Sequence, residues 1–134
     1  MDLKEWVVNF IRSRASFEVE ESFVDVVDDE IVVRKDSGER RFLVRDDLDE
    51  SVVEDIKNYD KKNVVIVALN KRSNVDWLVG HWKDLICFPL LSFMFVNPVT
   101  FERWVVFPKT HDLITEKASL KKGLISLFEN VSKV

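Results

Sequence analysis

Glutamine is absent from this chain, and cysteine, glycine and proline are scarce, with one Cys, three Gly and three Pro in 134 residues. A lone cysteine, Cys87, excludes an internal disulfide, and its place at the predicted buried end of a helix fits a reducing, cytoplasmic setting. The glycines Gly38, Gly80 and Gly123 are far apart, which excludes a Walker loop and a dinucleotide fingerprint, since both need clustered glycines to bring backbone N–H groups against phosphate. No apolar run reaches the ~18 residues of a membrane span. The longest are Val64 to Leu69, then Cys87 to Leu91 and Phe93 to Val96, the last two broken by Pro89 and Ser92. The N-terminal stretch MDLKEWVVNFIRSR mixes charge into its apolar pattern and lacks a small-residue cleavage site, so it is expected to be a helix and not a secretory signal. Imidazole and thiol ligands are limited to His81, His111 and Cys87, none closely spaced, so neither a zinc site nor a cofactor is expected.

What is present is typical of a globular domain. Hydrophobic residues make up 46% and charged residues 33%, and the length suits one domain over residues 1–134. Valine is the commonest residue, and with abundant charge and no Gln the composition leans toward that of a thermophile. A net charge of −4 offers no global attraction to nucleic acid, although local basic patches can still hold phosphate.

The run Val64 to Leu69 has no polar alternation, which predicts a strand covered on both faces and therefore helices above and below it. Leu3, Trp6, Val7, Phe10 and Ile11 predict a first helix over Asp2 to Arg14. A bent strand is expected from Phe17 to Val27, then a hairpin of Glu30 to Lys35 and Arg40 to Arg45 joined at Asp36-Ser37-Gly38. Ser51 with Glu54 resembles a capping box opening a second helix. After the organising strand, Ser73 or Asn74 is expected to cap a helix that Pro89 ends. Leu90 to Val96 and Arg103 to Phe107 read as strands, and Asp112 to Val131 as a final helix. The expected order is αβββαβαββα, an α/β domain whose mixed sheet carries an antiparallel N-terminal meander and helices on both faces.

Two sets of charges stand out. Asp25, Asp28, Asp29 and Asp46 flank the predicted hairpin, and carboxylates near a strand bend suit a hard divalent ion. Arg34, Lys35, Arg40, Arg41 and Arg45 decorate it, with Lys71 and Arg72 at the carboxyl end of the organising strand, where open α/β sheets bind ligands. His81 and His111 lack a partnered nucleophile and read as structural. Trp77 and Trp104 fit their stripes less cleanly than Trp6 and Trp82, and would be interface anchors if exposed.

The element order over Asp2 to Phe88, with the segment DEIVVRKDSGERRFLVRDDLDESVVEDIKN, resembles the restriction-endonuclease-like nucleases, including archaeal Holliday-junction resolvases. The resemblance implies a catalytic Asp near the second strand, matched by Asp28 or Asp29, and a Glu-x-Lys on the third. In this chain that slot falls on Leu43, Val44 and Arg45, or one residue later on Val44, Arg45 and Asp46. Either register lacks the Glu, and a single carboxylate cannot assemble a magnesium site.

The resulting expectation is a non-catalytic binding or assembly module of degenerate nuclease-like fold, with no bound metal, contacting nucleic-acid phosphates through the seven basic residues named above. The alternatives are a diverged Mg-dependent nuclease using the Asp set, and a homodimer formed through Trp104 and the Leu90 to Val96 strand. No membrane partner is expected.

Overall fold

The computed structural model describes residues Met1–Val134. Helix α1 (Leu3–Ala15) precedes a meander of β1 (Ser22–Val27), β2 (Glu30–Lys35) and β3 (Gly38–Val44). Helix α2 (Glu50–Asn58), β4 (Asn63–Leu69), α3 (Arg72–Gly80) and the short α4 (Trp82–Leu85) follow, then β5 (Leu91–Val96), β6 (Arg103–Val106), α5 (Pro108–Ile114) and α6 (Leu120–Glu129). The six strands form one mixed sheet in sequence order. β3, β4 and β5 run parallel, while the β1-β2, β2-β3 and β5-β6 pairs are antiparallel. No helix is long and apolar enough to cross a membrane.

Two cores share this sheet. Successive strand residues point to opposite faces; thus Leu43, Val64, Ile66, Phe93 and Phe95 pack with α2, α3, α4 and α6. On the other face Phe42, Val44, Val65, Val67 and Met94 pack with Leu3, Trp6, Val7 and Ile11 of α1. The unbroken apolar run of β4 is explained by its position between these layers.

Several boundaries differ from the expectation. β1 begins only at Ser22, and Phe17 and Val19 are exposed. The Glu18 carboxylate is drawn to Lys35, and Glu20 accepts bonds from Ser37 of the β2-β3 turn, so the segment is a polar brace and not a strand. Asp49, not Ser51, caps α2: its carboxylate accepts the Ser51 N–H at 2.9 Å and the Ser51 hydroxyl as well. Neither Ser73 nor Asn74 caps α3, whose first residue is Arg72. The helix predicted to run to Pro89 breaks at His81 into α3 and α4. The predicted final helix is two helices separated by Thr115-Glu116 and a 3-10 turn, which leaves Leu113 exposed. Cys87 is exposed, beside a small apolar cleft lined by Val53, Ile56, Leu85 and Phe88.

The carboxyl ends of the strands are sealed by buried asparagines. Asn74 donates to the carbonyls of Asp46 and Leu69, both at 2.8 Å, and accepts the Leu48 N–H at 2.9 Å. Asn70 accepts from Trp104 Nε1 at 2.8 Å and donates to the carbonyls of Phe128, Val131 and Ser132. Asn97 reaches the carbonyls of Ser132 and Lys133, so the 131–134 segment lies across the ends of β4 and β5.

Asn70→Ala strips Trp104 and these carbonyls of a buried partner. The expected cost is about 2–3 kcal/mol, read as a lowered urea midpoint with an unchanged slope. A change under roughly 0.5 kcal/mol would mean the network is not what holds this end.

Candidate functional site

Strand register decides where the hairpin charges go. Arg34 lies opposite Glu39, Val33 opposite Arg40 and Val32 opposite Arg41. With side chains alternating, Arg34 and Arg41 share the face of Leu43, while Lys35 and Arg40 share the face of Phe42. The five hairpin cations therefore do not form one patch. Most are also neutralised. Arg34 pairs with Asp25 and Lys35 with Glu18. Arg41 lies between Glu30 and Glu39 with its guanidinium over the Tyr59 ring, 4.5 Å from the centroid. Partial burial opposes its charge, but the Glu30 contact outweighs this and raises its pKa. Arg45 reaches Asp55 at 3.0 Å, Lys71 reaches Asp47 at 2.9 Å, and Arg72 pairs with Asp76 one turn on. Among the seven basic residues singled out, only Arg40 has no carboxylate partner, and it is exposed.

The acidic set is divided as well. Asp25 is held by Arg34 on β1, and Asp28 occupies a two-residue turn with φ of 51°. Asp29 and Asp46 do come together. They line a cleft of about 410 Å³ at the carboxyl end of β3, with Asp2, Lys4, Arg45 and Asp47 around them. The cleft is built by the backbone: Val44 N–H bonds the Asp29 carbonyl at 2.8 Å, Arg45 N–H bonds the Val67 carbonyl at 2.8 Å, and α1 brings its amino end alongside. Asp2 is committed to capping α1 through the Glu5 N–H at 2.8 Å, and Asp47 to Lys71. No three His, Cys, Asp or Glu side chains are arranged to hold a metal ion. Sequence reasoning missed Asp2, Lys4 and Asp47. The only signal for Asp2 was its place at a helix start, since convergence with Asp29 depends on how α1 crosses the sheet.

The aromatic candidates are internal. Trp104 is buried and hydrogen-bonded to Asn70, so it cannot anchor a partner, and every residue of β5 is buried between β4 and β6. The expectation of a homodimer through Trp104 and the Leu90 to Val96 strand is corrected on this ground. Trp77 is half-buried and stacks on His81 with centroids 4.1 Å apart. His111 meets Trp82 edge-on at 5.8 Å, and Trp82 Nε1 donates to Asp112.

Comparison with known proteins returned no match among family models, curated proteins or solved structures.

His81 joins α3 to the start of α2. Its Nδ1 lies 2.8 Å from the Trp77 carbonyl and its Nε2 2.8 Å from Glu50 Oε1. Both neighbours are acceptors, so both ring nitrogens are served only when the ring carries two protons. Partial burial lowers the pKa, but the Trp77 carbonyl and the Glu50 carboxylate outweigh it and raise the value above that of a free imidazole. A raised pKa means the contribution is full below the unfolded value and is lost as pH rises through the folded one. The thermal midpoint difference between wild type and Glu50→Gln should therefore shrink as pH is raised from about 6 to about 8. A difference independent of pH would rule out the charged bridge.

Proposed function

We propose that this chain is a non-catalytic binding or assembly module built on a sheet of nuclease-like element order. The observation that carries the reading is what fills the end of β3. Leu43 and Val44 are buried in opposite cores, and Arg45 is tied to Asp55 and to the Val44 carbonyl. A Glu-x-Lys at these positions would put charge into a packed layer without a partner, at a cost of several kcal/mol. A magnesium ion keeps several waters and is usually held by one or two carboxylates together with substrate phosphates, on residues placed for it at the strand end. Asp29 and Asp46 are the cleft carboxylates without another partner, and the family's Glu and Lys slots beside them are filled by Leu43 and Arg45.

The diverged magnesium-dependent nuclease is the second reading, favoured by one observation: Asp29 and Asp46 share their cleft with Lys4. Incubation of branched and single-stranded DNA with the protein and Mg²⁺ or Mn²⁺ separates the two. The module reading expects no cleavage above that of an Asp29→Ala, Asp46→Ala double variant. Cleavage that disappears in the double variant would overturn it.

Phosphate contact is a narrower matter once the ion pairs are counted. With Arg40 the one unpaired cation of these seven, binding of DNA to this surface should show a log-log salt slope of about −1 to −2, against roughly −6 were all seven free to release counterions. Arg40→Glu should remove most of this binding. A steep slope unaffected by that substitution would place the nucleic-acid surface elsewhere.

A further inference from the structure

The sheet has two open edges, β1 and β6, and they differ in charge. From Phe17 to Asp29 the chain carries six carboxylates and no base, so a second copy brought to the β1 edge would meet like charge. From Pro98 to Lys109, the stretch containing β6, there is one acid, Glu102, against Arg103 and Lys109. Both edges expose apolar side chains, Phe23 and Val27 on β1 among them, so charge is what distinguishes the β6 edge. Val105 is 41% and Phe107 51% exposed, on the sheet face opposite buried Trp104 and Val106.

The hydrogen-bond pattern shows what that edge offers. Asn97 N–H bonds the Glu102 carbonyl at 2.9 Å, so by antiparallel alternation Trp104 and Val106 exchange bonds with Phe95 and Phe93. Arg103 and Val105 then turn their N–H and C=O groups away from β5, toward the open edge. The Phe107 carbonyl is taken by the His111 N–H at 2.8 Å, and Pro108, which has no N–H, limits the edge to this short stretch.

We propose that β6 pairs antiparallel with β6 of a second copy of this chain, about a two-fold axis at Val105, so that two six-stranded sheets become continuous. This arrangement is self-complementary residue by residue. Val105 meets Val105 of the second copy, exchanging two backbone hydrogen bonds. The Phe107 N–H of each copy reaches the Arg103 carbonyl of the other. No like charges are set opposite. The Arg103 guanidinium already lies over Phe10, 4.7 Å from the ring centroid, and Phe107 of the second copy would cover its outer side. The interface is small, which sets the dissociation constant at roughly micromolar or weaker. The inference rests on the assembly reading above and names its partner.

Sedimentation equilibrium of the full chain, from micromolar to millimolar concentration, tests it. The expected result is a monomer-dimer equilibrium abolished by Val105→Lys and retained in Val26→Lys, which alters the other edge. Val105 is outward-facing, so the substitution should leave the fold intact. Should that variant fail to fold, amide exchange of the wild type replaces it: the Val105 and Phe107 amides should become protected as concentration rises. A monomer at millimolar concentration, a dimer indifferent to Val105→Lys, or concentration-independent exchange at these amides would each overturn the edge pairing. None of these bears on the cleavage assay, so loss of the dimer and loss of the non-catalytic reading are separate outcomes.

Discussion

Because β4 alternates Val64, Ile66 and Ala68 toward one layer with Val65 and Val67 toward the other, neither face of the sheet can be left to water. Exposing Val65 and Val67 alone would forfeit about 3–6 kcal/mol of burial, a large share of the net stability of an ordinary domain. The layering follows. Helix α1 covers one face, while α2, α3, α4 and α6 cover the other. The single helix on its side has to run across several strands, and that crossing carries its amino end to the carboxyl end of β3. The cleft that joins Asp2 and Lys4 to Asp29 and Asp46 is a consequence of this packing.

A second constraint acts at the strand ends. Parallel strands finish with backbone groups that have no ladder partner, and leaving these buried and unmet is costly. Asn70, Asn74 and Asn97 meet that need, each joining segments far apart in the chain. In open α/β sheets this end is where ligands usually bind. Here the 131–134 segment lies over the ends of β4 and β5, and a cleft lies beside the end of β3.

The charges of the β2-β3 hairpin and of the β4-α3 junction are largely neutralised among themselves. Cross-strand pairs such as Arg34 with Asp25 and Arg41 with Glu30 add little stability where they are exposed. Their larger effect is on recognition: a cation already held by a carboxylate offers less to a phosphate. The two sheet edges stay unlike in charge, because Glu20, Glu21, Asp28 and Asp29 around β1 have no cation partner while β6 carries little charge.

Strand and helix order was legible from local pattern. An apolar run without alternation marks a strand buried on both faces, Asp36-Ser37-Gly38 marks a tight hairpin, and spacing of Leu3, Trp6, Val7 and Ile11 marks a helix, because each of these signals is carried by neighbours in the chain. The burial of Leu43 and Val44 at the end of β3 was also readable, since register follows from which residues must be buried. Other features were decided only by the tertiary structure. Asn74 looked like a helix cap, and its role as a buried clip depends on Asp46 and Leu48 being brought against it. The basic hairpin looked like a single patch, but pleat alternation divides it between faces and carboxylates from β1, the preceding loop and α2 neutralise it. Trp104 looked free because Asn70, which holds it, is 34 residues away. Periodicity reports which residues avoid water; which charged and polar groups meet is set by contacts between elements distant in sequence.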